Sequence, residues 1–225
     1  MLKDQYEIIL VDLRNHGRSF WSDDFNYQIT AQDVIDMMDA LEIQEADIIG
    51  HSMGGKVAMT LAQEYPGRVG KLVVVDIGYK KYQRGHDMIF EAIFSIEPKL
   101  LDDRKEADNK LALKINDRGV RQFLLKSLAR DKEGGFRWKT NFRALYNSYE
   151  AILSEVAVAN IKAKTLFIRG SKSHYIRDEE VSNLKAHLIK AEVSVVSLDA
   201  GHWVHAERPT ELFEAVSSFL DNDIN

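Results

Sequence analysis

Apolar residues follow two rhythms along this chain. Compact runs occur at "YEIILVD" (6–12), "EADIIG" (45–50), "KLVVVDIG" (71–78), "AKTLFIRG" (163–170) and "EVSVVSLD" (192–199). Their length and β-branched content predict buried strands. Between them, apolar positions recur at helical spacing. "ITAQDVIDMMDALEI" (29–43) places Ile29, Val34, Met37, Met38 and Leu41 on one face, with Thr30 as the expected N-cap. "MGGKVAMTLAQEYP" (53–66) predicts a helix that stops before Pro66, and further helices are expected over about 177–190 and at "TELFEAVSSFL" (210–220). Strand and helix in alternation predict a parallel sheet covered on both faces.

The alternation breaks in the middle. Residues 80–156 show no convincing strand and read as amphipathic helices: "DMIFEAIFSI" (87–96), "RGVRQFLLKSLAR" (118–130) and "FRALYNSYEAILSEV" (142–156). "DKEGGFRW" (131–138) reads as a polar, glycine-containing hinge, and "LLDDRKEADNK" (100–110) as a solvated helix or loop. The expected organisation is one α/β core, 1–79 and 157–225, interrupted by a helical insertion at 80–156. The sequence contains no internal repeat and no low-complexity segment.

Composition narrows the function classes. The chain has 225 residues, 45% hydrophobic and 29% charged, with net charge −5 and no cysteine. Acidic and basic residues alternate without a basic stripe, which argues against a nucleic-acid partner. The absence of cysteine removes thiolate metal sites and cysteine nucleophiles and fits a cytoplasmic protein. No apolar run approaches the length of a membrane span. The first residues lack the pattern of a signal peptide.

The chemistry starts where the second run stops. Gly50-His51-Ser52-Met53-Gly54 matches G-x-S-x-G between an expected strand and an expected helix. That context predicts a sharp turn that exposes the Ser52 hydroxyl in a strained backbone conformation, with small residues at 50 and 54 relieving crowding. Ser52 then lies at a helix N-terminus, and the backbone N–H of Met53 is placed to hold an oxyanion. A serine nucleophile needs a base. His202, in "LDAGHWVHAERP" after the last strand, is the candidate, because parallel strands gather their carboxyl ends at one rim. His205 is the competitor and is expected to face the final helix.

"VDLRNHGRS", "GHSMGG", "VVVDIGY" and "AGHWVHAERP" together resemble the α/β-hydrolase superfamily, in particular its small bacterial capped esterases and acyl thioesterases. The resemblance implies a serine nucleophile, a histidine base, an acid that orients the histidine, and neither metal nor organic cofactor. The acid usually follows the strand after the cap, but that turn here reads Gly170-Ser171-Lys172-Ser173. A hydroxyl cannot offset an imidazolium as a carboxylate does. Asp76, at the end of the strand after the nucleophile helix, is therefore the expected acid, and some members of the esterase subgroup carry it there. Ser173 is expected to assist as a hydrogen-bond partner of His202, and Asp178 is the runner-up acid, expected instead to cap a helix.

Asp12 and Arg14 of the "D-x-R-x-H-G-x-S" turn are expected to brace their own loop. His51 and Trp203 are candidates to line the substrate pocket. The resemblance also implies earlier strands and a His-Gly loop supplying a second oxyanion N–H. Nothing in this sequence matches them, so the expected fold is an N-terminally truncated α/β-hydrolase, read as starting from an internal Met. The expected function is hydrolysis of a small acyl ester or thioester through an acyl-enzyme. The alternatives are a weak or inactive truncated hydrolase, a binding protein on the same fold, and a C–C hydrolase or haloperoxidase-like enzyme on the same triad. Neither acyl length, leaving group nor oligomeric state is legible.

Overall fold

The computed structural model describes residues 2–221. Its chain divides into two compact units. The first holds the chain to Val11, Tyr27–Lys81 and the chain from Ser154 onward; the second holds Asp12–Asn26 and Tyr82–Leu153. The insertion expected at 80–156 corresponds to Tyr82–Leu153, joined by the loop 12–26, which the sequence reading left with the core.

The first unit is built on a parallel sheet. Helix α1 (Tyr27–Ala40) leads into β1 (Ala46–His51), α2 (Met53–Glu64) and β2 (Val69–Val75). Thr30 does not cap α1, as the helix starts at Tyr27 and Thr30 lies buried within it. After the second unit come β5 (Lys164–Gly170), α8 (Val181–His187), β6 (Val193–Leu198), α9 (Val204–Glu207) and α10 (Pro209–Asp221). The helix expected over 177–190 is thus α8, preceded by a 3-10 turn at Asp178–Glu180. The four strands run parallel in the order β1-β2-β5-β6. β2 and β5 occupy the centre, which is why Leu72, Val73, Val74, Phe167 and Ile168 form near-continuous buried runs rather than alternating. Val73, Val75, Leu166 and Ile168 pack against Val216, Phe219 and Leu220 of α10.

The strand expected at 6–12 does not form. Tyr6 is held by its hydroxyl, which donates to Asp221 Oδ1 at 2.8 Å, but residues 7–12 run on without a ladder. Leu10 is 92% exposed, and Ile8, Ile9 and Val11 are exposed as well. Backbone pairing is what turns alternation into burial. Without it, Ile9 and Val11 only edge a gap of about 120 Å³ over Val34, Met38 and Ile48.

The second unit contains α3 (Asp87–Phe94), α4 (Arg104–Ala112), α5 (Arg118–Lys126), α6 (Phe142–Asn147) and α7 (Tyr149–Leu153). It also holds a two-stranded antiparallel hairpin, β3 (Leu128–Arg130) and β4 (Phe136–Trp138), where only helix and hinge were expected. The "DKEGG" stretch is its turn, with Gly134 and Gly135 at positive φ. The single helix expected over 142–156 is split at Ser148. Ala92, Ile93, Leu111, Leu125, Leu128 and Phe136 give this unit a core of its own. Its loop 12–26 folds on itself as expected. Arg18 N–H and the Ser19 hydroxyl donate to Asp12, and Arg14 donates to the Asp24 carbonyl. Among the described residues, no helix is long and apolar enough to cross a membrane.

Candidate active site

β1 and β2 pair in register, so that His51 lies opposite Val75. The chain turns off both strands at the same level. Ser52 N–H donates to Val75 O at 3.0 Å, and Asp76 N–H donates to Ile168 O at 2.7 Å. Both turning residues adopt positive φ, 53° at Ser52 and 50° at Asp76. Non-glycine residues avoid this region, and such strain persists only where the surroundings over-determine it. Gly50 is one reason for the geometry: a Cβ there would lie 2.2 Å from the Gly54 carbonyl oxygen. Gly54 is different, since a Cβ on it meets nothing within 4 Å. The crowding expected at both positions exists only at Gly50.

The next two strands complete the rim. A Cβ at Gly170, the last residue of β5, would lie 2.1 Å from Gly201 O, so only glycine lets β5 pass the loop that carries His202. Four strand ends thus deliver Ser52, Asp76, the 170–173 turn and His202 to one place.

There they form a chain of hydrogen bonds. Ser52 Oγ is 3.0 Å from His202 Nε2, and His202 Nδ1 is 2.8 Å from Asp76 Oδ2. An ionised carboxylate only accepts, so the proton sits on Nδ1 and leaves Nε2 free to take the serine proton. Asp76 is fully buried, and its charge is met on both oxygens. Gly170 N–H donates to Oδ1 at 2.8 Å, and the Ser173 hydroxyl donates to Oδ2 at 2.5 Å. Ser173 therefore serves the acid and not, as expected, His202. Asp178 is taken up by Arg169, which also donates to Ile176 O and the Ser197 hydroxyl and so braces the loop 171–178.

His202 lies among aromatic rings. Tyr175 stacks on it at 4.2 Å, and His51 stands 4.7 Å away on its own strand end. His51 Nε2 is 2.9 Å from the His202 carbonyl oxygen, which can only accept, so that nitrogen carries the proton. Burial, then the charge of neighbouring His202, pushes His51 from 6.5 down to about 4. Trp203 packs 5.4 Å from His202 and 5.9 Å from His51. His205, exposed on α9, turns its ring to His51 at 5.0 Å. Tyr175 was absent from the sequence reading, and Gly170 was named there only as part of the 170–173 turn. Nothing local marks Tyr175, while Gly170 stood in the quoted turn and could have been read as a point of close approach. As the first residue of α2, Met53 has a backbone N–H without an intrahelical acceptor. Among the described residues, no group of three or more His, Cys, Asp or Glu side chains is placed to hold a metal ion.

A family model described as alpha/beta hydrolase fold matches residues 1–209. Esterase YbfF of Escherichia coli is 37% identical over 222 residues, spanning 98% of this chain and 85% of its own. The sn-1-specific diacylglycerol lipase ABHD11 of Mus musculus is 34% identical over 220 residues, spanning 95% and 71%. The solved structure of a marine microorganism esterase superposes with a TM-score of 0.90 at 34% identity, covering 97% of this chain and 86% of that one.

Proposed function

This chain belongs to the α/β-hydrolase fold family, as an esterase/lipase-type member, and from that premise we propose that it cleaves carboxylic esters or acyl thioesters through an acyl-enzyme at Ser52. The observation that carries the reading is the hydrogen-bond chain from Ser52 through His202 to Asp76. Ser52 Oγ attacks the acyl carbon as its proton passes to His202 Nε2. Asp76 holds the imidazole in the Nδ1–H tautomer and offsets the imidazolium charge. The Met53 N–H stabilises the oxyanion of the tetrahedral intermediate. His202 then gives the proton to the departing alkoxide or thiolate, which releases the alcohol or thiol and leaves the acyl-serine. Water, deprotonated by the same nitrogen, frees the acid and restores Ser52. Ser52 and His202 carry the protons, while Asp76 orients the imidazole and offsets its charge.

The test pairs fluorophosphonate labelling with hydrolysis of p-nitrophenyl esters and acyl thioesters. Labelling and turnover by the protein, both abolished in Ser52→Ala and in His202→Ala, are the expected result. A folded protein that neither labels nor turns over any of these substrates would overturn the reading.

A further inference from the structure

Among the large, fully buried side chains of the described residues is a lysine. Lys56 lies in the first turns of α2, four residues after Ser52, and is 1% exposed. Burying an ammonium is costly unless its donors are matched. Here Nζ donates to the carbonyl of Lys80 at 2.8 Å and to the carbonyl of Ser154, with the Tyr27 ring at 5.7 Å. These two carbonyls are not arbitrary. Lys80 and Ser154 stand at the points where the chain leaves the first unit and returns to it. The two crossings run antiparallel there, joined by a rung on either side: Val156 N–H donates to Tyr79 O at 2.8 Å, and Tyr82 N–H to Leu153 O at 2.9 Å. The ammonium sits at the gap between the rungs. The outgoing crossing also starts four residues after Asp76. One cation thus joins the helix that follows the nucleophile to the segment that follows the acid.

We propose that Lys56 is a positioning residue: a buried cationic latch that fastens the paired crossings at Lys80 and Ser154 to the nucleophile helix. The clause about nucleophile and acid rests on the function proposed above; the latch itself rests on the geometry. A methionine would fill the same space without the cost of burying a charge. What lysine adds is a set of donors aimed at two carbonyls from different parts of the chain. Burial pushes its ammonium down to about 8, opposed by the charge of Glu155, so the cation persists at neutral pH. The outgoing crossing is pinned a second time by the Lys80 side chain, which pairs with Glu180. That pair holds the side chain, while the backbone carbonyl accepts from Lys56.

The experiment is amide hydrogen exchange followed by NMR on the whole chain, Lys56→Met and Lys56→Gln. In Lys56→Met the amides of Tyr82 and Val156 are expected to exchange roughly ten- to a hundredfold faster, as two charge-assisted hydrogen bonds are lost. Amides of the central strands, Val73 and Phe167 among them, are expected to keep their protection. Lys56→Gln retains two N–H donors on a shorter stem and is expected to fall between. Unchanged exchange at Tyr82 and Val156 in folded Lys56→Met would overturn the latch, and so would equal loosening across α2 and β2. Should Lys56→Met not fold, the Gln variant decides: faster exchange at the two amides supports the latch and native-like exchange refutes it. Ester turnover measured alongside is expected to drop about tenfold in kcat for Lys56→Met, with partial recovery in Lys56→Gln. A parent protein without turnover would sink the reading of the site, while the exchange result would still judge the latch.

Discussion

Asp76 shows what single residues do here. It is a carboxylate at full burial with three donors on it, from His202, Ser173 and Gly170. Asp76→Asn removes the charge and offers Nδ1 a donor in place of an acceptor, so kcat is expected to fall about ten-thousand-fold with the fold retained. Ser173→Ala removes one donor from the same oxygen and is expected to lower kcat only about tenfold, as one hydrogen bond to a charged acceptor is lost. Steady-state kinetics on both variants would check the order. A second prediction concerns acid. The unfolded chain binds a proton at His51 near 6.5, but the folded protein does so only at about 4. Between these values the unfolded chain holds more protons, so this contribution is fully present above about 6.5 and is lost as pH falls through about 4. The loss amounts to about 3 kcal/mol by the linkage between pKa and stability. His51→Gln keeps a donor for the His202 carbonyl and cannot titrate. Urea denaturation from pH 7 to 4 is expected to give a flatter stability curve for that variant.

At the scale of elements, the sheet positions the site through close approaches that only glycine permits. Gly170→Ala would push a methyl group into the Gly201 carbonyl, one residue before His202. Overpacking of this kind costs about 1–3 kcal/mol. Because the strain falls on the loop of the base, kcat is expected to drop more steeply than stability, which denaturation and kinetics on one preparation would show. The elbow was legible because G-x-S-x-G sat between an apolar run and a helical repeat. The β3–β4 hairpin was not, since three-residue strands are too short to display a period. The run at 6–12 had the pattern of a strand yet forms none, because a strand exists only with a partner for its backbone.

At the scale of the whole molecule, two cores do separate work. Ile168 belongs to the one under the sheet and Leu128 to the one in the helical unit, and both are fully buried. Ile168→Ala and Leu128→Ala are each expected to cost about 2–5 kcal/mol. The two clusters share no member, so the double variant is expected to show the sum of the single losses in chemical denaturation. A marked departure from additivity would mean that the two clusters are energetically coupled. The stretch Tyr82–Leu153 of the second unit lies where strand–helix alternation is lost, which is visible in a linear pattern. The assignment of 12–26 to the second unit was not, as it depends on contacts such as Asn141 with Asn15, which are 126 residues apart.

By itself the sequence determined the alternating α/β core and placed a serine at its turn, a histidine after the last strand and a carboxylate, Asp76, at the end of the strand between them. These follow from periodicity, from the demands of a nucleophile and from the side on which parallel strands end. Tertiary structure alone decided that Ser173 bonds to the acid and not to the base, that Asp178 goes to Arg169, that Tyr175 and His51 enclose His202, and that Lys56 reaches two carbonyls from opposite ends of an insertion. The physical reason is common to all four. A hydrogen bond or a ring contact depends on direction and distance between groups far apart in the chain, and neither is encoded in local composition or period.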